Sequence, residues 1–256
     1  MSETFTKESI KLDVCGIAWP AMVMAPHDVC DEPWLIVNLA NDCFSALRHT
    51  TFGGLVRPML RAGHYAASFT LPYHRELADK SMGHELEAFV TAIKQDIDVF
   101  GQIRQVGKAL IDHVTETMMF VEPRHVVIAG TSRGGISALH VMSVDDRVQA
   151  AALVCPVTDL SRLTEFEQLA GNPLYEPSHA MSLLEKVCDR PIWITINESD
   201  ERVDEKACMA FADALVAQNP IHPKPVIWPE SGHAVPLEAY ELGGEYLRDW
   251  ITKQNA

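Results

Sequence analysis

What this sequence lacks removes several classes of protein. Its first residues, Met1-Ser2-Glu3-Thr4-Phe5-Thr6-Lys7-Glu8, show no basic start leading into an apolar core, so no secretory signal is expected. No apolar run approaches the roughly 20 residues of a membrane-spanning helix. The cysteines (Cys15, Cys30, Cys43, Cys155, Cys188 and Cys208) include no C-x-x-C pair, and without a secretory signal they read as free, mostly buried thiols. No His, Cys, Asp and Glu cluster has metal-ligand spacing and no loop is built to cradle phosphate, so neither a metal nor any other cofactor is expected. Positive charge is scarce: 21 Lys and Arg against 35 Asp and Glu give a formal charge of −14. That balance disfavours nucleic acid and anionic membrane as partners. Internal repeats, low-complexity tracts and linkers are also missing. These shortages point to a cytoplasmic protein acting on a small molecule, with a homodimer left open.

What is present is a core. With 256 residues, 47% of them hydrophobic, the chain suffices for one large α/β domain. Residues Ile10 to Met24 are expected to form one or two opening strands. The runs Trp34 to Leu39, Tyr65 to Leu71, Val126 to Ala129, Val148 to Val154, Pro191 to Ile196 and Pro225 to Trp228 read as buried strands. Residues Gln102 to Met119 carry apolar side chains at three- and four-residue spacing and predict an amphipathic helix. A second helix is expected after Gly135. A closing helix carries Leu242, Tyr246, Leu247, Trp250 and Ile251, with Gly243-Gly244 weakening its first turn. Strands alternating with helices imply a mostly parallel sheet covered on both faces. The segment Asp159 to Asp189 is longer than a plain crossover needs and is expected to form a small cap.

The stretch Gly130-Thr131-Ser132-Arg133-Gly134 fits G-x-S-x-G between a predicted strand and a predicted helix. In that setting the serine sits at the apex of a sharp, strained turn with its hydroxyl above the sheet. Glycine at both flanks avoids collisions with neighbouring strand and helix. The helix N-terminus adds amide donors and a positive dipole end for an oxyanion. An inert serine on a glycine-rich turn is the alternative; the strand–motif–helix context favours a nucleophile.

A serine needs a base, and the base needs an acid to orient it. The run "ITINESDERV" leaves a predicted strand and reaches Asp200; "WPESGHAVP" leaves the next and reaches His233 beside Gly232. The chain order Ser132, Asp200, His233 suits an α/β hydrolase. Asp159, in "CPVTDL", is the rival acid, or else caps a helix. Glu201 and Asp204 read as solvated or paired with Arg202. His74, in "LPYHRE", either touches substrate or makes a structural hydrogen bond. Trp193 and Trp228 read as core, while Phe166, Leu174, Tyr175 and Met181 either line an acyl pocket or pack the cap. The Arg133 side chain either clamps an acidic substrate or pairs with a nearby acid.

The pieces "GTSRGG", "CPVTDL", "NESDERV" and "SGHAVP", in that order over about the C-terminal half, resemble the α/β-hydrolase superfamily. The resemblance is greatest to its bacterial prolyl-oligopeptidase-like and dienelactone-hydrolase-like serine esterases. The N-terminal half matches more loosely, through "LPYHRE". The resemblance implies a single α/β-hydrolase domain over residues 1–256, with about eight mostly parallel strands, helices on both faces and a cap insertion at 159–189. It implies Ser132 as nucleophile, His233 as base and Asp200 as acid, with the amide of Arg133 in the oxyanion hole. Dienelactone hydrolases carry cysteine at the elbow, and dehalogenases and epoxide hydrolases carry aspartate, so Ser132 disfavours those activities. The His-Gly pair that usually follows the third strand is replaced by "VNLANDCFS"; the second oxyanion donor is expected at Asn41 or a neighbour between Ala40 and Asp42. The expected activity is cofactor-free cleavage of a small carboxylic ester. A thioesterase, a small peptidase and a non-catalytic ligand-binding protein on the same fold are the alternatives.

Overall fold

Val14 and Ile17 face each other across a two-residue turn, Cys15-Gly16, whose φ angles of 53° and 76° are both positive. Such a turn matches the twist of an antiparallel hairpin, and it divides the opening apolar run into β1 (Thr6–Val14) and β2 (Ile17–Ala25). The computed structural model describes residues 5–117, 121–230 and 232–255. Within them, β3 (Leu35–Leu39), β4 (Tyr65–Phe69), β5 (Val126–Thr131), β6 (Val148–Val154), β7 (Ile192–Asn197) and β8 (Val226–Trp228) join the hairpin in one sheet of eight strands. The order is β1-β2-β4-β3-β5-β6-β7-β8. The pairs β1/β2 and β2/β4 are antiparallel and the rest parallel. Every residue of β3, β4, β5 and β7 is buried, as strands covered on both faces must be. This is the α/β-hydrolase fold.

The helices are α1 (Cys43–Arg48), α2 (Arg57–Arg61), α3 (Leu86–Lys94), α4 (Val99–Thr117), α5 (Arg133–Met142), α6 (Ala180–Val187), α7 (Glu205–Gln218) and α8 (Leu237–Gln254). The amphipathic pattern predicted over Gln102 to Met119 falls in α4, whose apolar stripe of Ile103, Val106, Leu110, Ile111 and Val114 is buried. Met118 and Met119 lie outside the described residues, as does Ser231 of "SGHAVP".

Two expectations about helix boundaries are corrected. The helix expected after Gly135 begins at Arg133, so Gly134 and Gly135 form its first turn. Gly243 and Gly244 do not weaken the first turn of α8; they lie in its middle, where a Cβ would come within 2.8 Å of Leu55 Cδ2 and 2.5 Å of Leu55 O. In both places close packing, not a break in the helix, requires glycine.

Between β6 and β7 the chain makes three short 3-10 turns (Leu160–Arg162, Thr164–Leu169 and Glu176–Ser178) before α6. Arg202 grips Glu165 of this segment with two bonds, NH1 to Oε2 at 3.0 Å and NH2 to Oε1 at 2.6 Å. Arg162 approaches Asp204 at 3.6 Å. The segment is thereby tied to the loop that follows β7. Of the two readings for Glu201 and Asp204, pairing with Arg202 is not the one observed: the partner of Arg202 is Glu165.

Candidate active site

Ser132 stands where β5 ends and α5 begins, with φ 55° and ψ −119°. Such a conformation costs an L-residue of order 1–3 kcal/mol and persists only where the surroundings enforce it. Here its N–H donates to Val154 O (3.0 Å), while its carbonyl accepts from Gly135 N (2.9 Å) and Val157 N (3.1 Å). The turn is therefore clamped to the end of β6. The flanking glycines are sterically required. A Cβ on Gly130 would lie 2.3 Å from Gly134 O, and one on Gly134 would lie 2.0 Å from Leu39 O at the end of β3.

His233 Nδ1 lies 2.9 Å from Asp200 Oδ2, and its Nε2 lies 2.8 Å from Ser132 Oγ. A carboxylate can only accept, so Nδ1 carries the proton and Nε2 offers its lone pair to the serine hydroxyl. The second carboxylate oxygen of Asp200 accepts from Arg202 N (3.0 Å) and Val203 N (3.2 Å). Burial would raise the Asp200 carboxyl, but the hydrogen bond and charge of His233, with these two amides, hold it below its ordinary value. The Asp200 side chain is fully buried and that of His233 is 32% exposed, so the pair is anchored on one side and open to a ligand on the other.

The opening is a cavity of about 450 Å³ lined by Ser132, His233, Arg133, Asn41, Phe52 and Tyr240, among others. Asn41 thus borders the serine, and its carbonyl accepts from Leu71 N (3.1 Å). Gly134 packs against Leu39 and Ala40, so the loop after β3 lies directly across from the elbow.

The guanidinium of Arg133 is engaged: NH1 lies 2.6 Å from His74 Nε2 and 2.6 Å from Glu85 Oε2. His74 Nδ1 lies 2.8 Å from Pro72 O and must donate to it, leaving Nε2 to accept from Arg133. Burial first, and then the Arg133 charge, lower the affinity of His74 for a second proton. His74 is 2% exposed and does not line the cavity. It serves the structural reading, and Arg133 pairs with an acid.

The rival acid, Asp159, is elsewhere. Its Oδ1 accepts from Ser161 N (3.0 Å), capping a 3-10 turn, and it pairs with His179 and Arg162. Phe166, Tyr175 and Met181 line a different cavity of about 750 Å³, which contains neither Ser132 nor His233. Phe166 and Tyr175 are buried and stack on each other, which makes them packing of the segment, while Met181 is exposed. Trp193 is buried in β7 against Gly243 of α8, as core.

Three residues near the site had no signal in the sequence. Glu85 neutralises Arg133 from 48 positions away in the chain. Asn197, at the end of β7, donates from Nδ2 to Gly232 O (2.9 Å) and Ala234 O (2.7 Å), on either side of His233. Cys155, just after β6, has its sulfur within 4.8 Å of the ligand atoms of both Asp200 and His233. Burial, then the Asp200 charge, push its thiol up to about 12. Among the described residues, Cys155, Asp200 and His233 form the one cluster that could hold a metal ion.

Among the described residues, no helix is long and apolar enough to cross a membrane. The family model of the prolyl oligopeptidase family matches residues 104–252, more than half the chain, including the elbow and the loops of Asp200 and His233. No curated protein sequence matches. Solved structures share the fold at low identity. A candidate dienelactone hydrolase from Klebsiella pneumoniae is 16% identical, with 97% of this chain and 99% of that one covered and a TM-score of 0.68. Est1E from Butyrivibrio proteoclasticus is 17% identical over 95% of this chain and 99% of its own, at 0.66. The acylaminoacyl peptidase of Pyrococcus horikoshii is 11% identical at 0.71; it covers 98% of this chain, which spans 42% of the peptidase. With the family match extending over elbow, acid loop and base loop, the chain belongs to the prolyl oligopeptidase family and is a serine hydrolase of the esterase or peptidase kind.

Proposed function

We propose that this protein hydrolyses small carboxylic esters through Ser132, His233 and Asp200. The observation that carries the proposal is the unbroken chain from Ser132 Oγ through both ring nitrogens of His233 to Asp200, at 2.8 and 2.9 Å, at the edge of a 450 Å³ cavity. Ser132 Oγ attacks the ester carbonyl as its proton passes to His233 Nε2, and the charged imidazole is stabilised by Asp200. The oxyanion is held by the Arg133 amide at the N-terminus of α5 and by an amide of the Ala40 to Asp42 loop, Asn41 being the favoured donor. Collapse breaks the C–O bond, and the alkoxide takes the proton from Nε2. Water, deprotonated by the same nitrogen, then releases the acyl group from Ser132. Full-length likeness to Est1E, one structure of which holds ferulic acid, supports an ester substrate.

The family match favours a small-peptidase reading as the alternative, since acyl transfer from amides and thioesters uses the same groups. A fluorophosphonate probe is expected to label the protein once, at Ser132, and not to label Ser132→Ala. An adduct mapped to another serine overturns the assignment. A panel of p-nitrophenyl esters, thioesters and aminoacyl amides separates the substrate classes, and turnover confined to the amides replaces the esterase reading.

A further inference from the structure

Acyl transfer by a serine hydrolase needs no thiol behind its acid, yet one is there. Cys155 follows β6, is 1% exposed, and has its amide bonded to Thr195 O at 2.8 Å. Its sulfur, a carboxylate oxygen of Asp200 and a ring nitrogen of His233 lie within 4.8 Å of one another. Thiolate and imidazole are donors that zinc prefers and zinc accepts a carboxylate beside them, while the thiol discriminates against magnesium and calcium.

We propose that Cys155, Asp200 and His233 bind a zinc-class divalent ion, and that the bound ion switches the hydrolase off. The inhibitory half rests on the triad reading above; the binding half does not.

The geometry requires little movement. Zinc bonds of about 2.3 Å to sulfur and about 2.0–2.2 Å to nitrogen and oxygen put tetrahedral ligands roughly 3.4–3.7 Å apart. Asp200 and His233 must open from 2.9 Å by about half an ångström, and the sulfur must close by up to about 1.4 Å. Asn197 holds the main chain on both sides of His233, so the imidazole and the Cys155 side chain make this adjustment through their own torsions.

The proton balance explains the inhibition. The thiol releases its proton to solvent, so thiolate and carboxylate together cancel the double charge of the ion in a buried place. Nδ1 exchanges its proton for the metal, and that proton moves to Nε2, leaving the imidazole neutral. No electron is transferred. Nε2 then presents an N–H to Ser132 Oγ and has no lone pair with which to take the serine proton.

The experiment has two arms. In the first, ester hydrolysis by the wild-type protein is titrated with zinc and then with excess chelator, alongside Cys155→Ala and Cys155→Ser, each scored as fractional inhibition of its own activity. The wild type is expected to lose activity reversibly, and both variants are expected to need at least ten-fold more zinc. Equal zinc sensitivity in all three overturns the proposal. The second arm needs no catalysis: cadmium is added to Ser132→Ala and to Ser132→Ala with Cys155→Ser, and the ultraviolet thiolate-to-cadmium absorption is compared. A band lost with Cys155 supports the site; identical spectra overturn it. If no substrate is turned over at all, the esterase reading fails while the cadmium arm still decides the metal site.

Discussion

Asn197 brackets His233: its single amide nitrogen donates to the carbonyls of both neighbours of the histidine, at 2.9 and 2.7 Å. The residue is fully buried at the end of β7, so the rigid sheet, not the loop itself, sets where the imidazole stands. Asn197→Asp keeps the size but replaces the donor with a carboxylate oxygen facing two carbonyl oxygens. Removing a buried donor costs about 1–3 kcal/mol. We expect Asn197→Asp and Asn197→Ala to lower kcat for a short ester by about ten- to a hundred-fold, with KM changed less. Steady-state kinetics check this; wild-type kcat in both variants would show that the loop holds itself.

Asp200→Asn and Asp159→Asn should differ sharply. Loss of a triad acid costs about four orders of magnitude in kcat because the wrong imidazole tautomer is then favoured. Asp159 caps a 3-10 turn, and losing a cap costs about 1 kcal/mol of stability. Parallel measurement of kcat and Tm for the two variants tests this; the reverse order would move the acid to the loop after β6.

Arg133→Ala should not discriminate between an ester bearing a carboxylate and a neutral one of the same size. Its charge is already matched by Glu85 and its NH1 donates to His74, so it offers no uncommitted positive charge to a substrate. We expect similar losses in kcat/KM on both substrates. A selective loss of ten-fold or more on the acidic ester would show that Arg133 leaves Glu85 to bind substrate.

Two buried histidines make the fold sensitive to acid. His140 donates from Nε2 to Ser178 O (3.1 Å), accepts from Arg104 at Nδ1 (3.2 Å) and stacks on Phe100; burial lowers it to about 3. His64 accepts from Trp34 N (3.2 Å), and burial lowers it to about 4. Unfolded histidine titrates near 6.5, so between that pH and the folded values the unfolded chain binds more protons. Stability must therefore fall as pH falls through this window, by an amount on the order of several kcal/mol. Calorimetry from pH 7 to 4 should show Tm declining from about pH 6.5 downward, with a shallower slope in His140→Gln. A Tm flat down to pH 4.5 would count against buried neutral histidines.

Much of the fold could be read locally. The strands at Val148–Val154 and Ile192–Asn197 were legible because a strand buried on both faces must be almost wholly apolar over a short length. The elbow was legible because G-x-S-x-G between a strand and a helix is a recognisable pattern, and one of its clashes is local: a Cβ on Gly130 would meet Gly134 O, although the clash at Gly134 comes from Leu39 of β3. The helix boundary at Arg133 and the interior glycines of α8 were misjudged for the converse reason. A glycine required by a neighbour from another part of the chain looks, in sequence, like a glycine that breaks a helix.

The sequence by itself determined the residue types, their chain order and the one turn that had to be strained, because periodicity and turn sterics act over a few residues. It favoured Asp200 over the rival Asp159 as the partner of His233 but could not place either beside the imidazole; the order of β6, β7 and β8 in the sheet carries Asp200 to 2.9 Å from it. Nor could it show Asn197 gripping the His233 loop, Glu85 matching Arg133, or Cys155 behind the triad. Those contacts join residues from 35 to 78 positions apart, and only the packing of distant strands and loops brings them together, with burial making an unpaired polar group such as Asn197 costly.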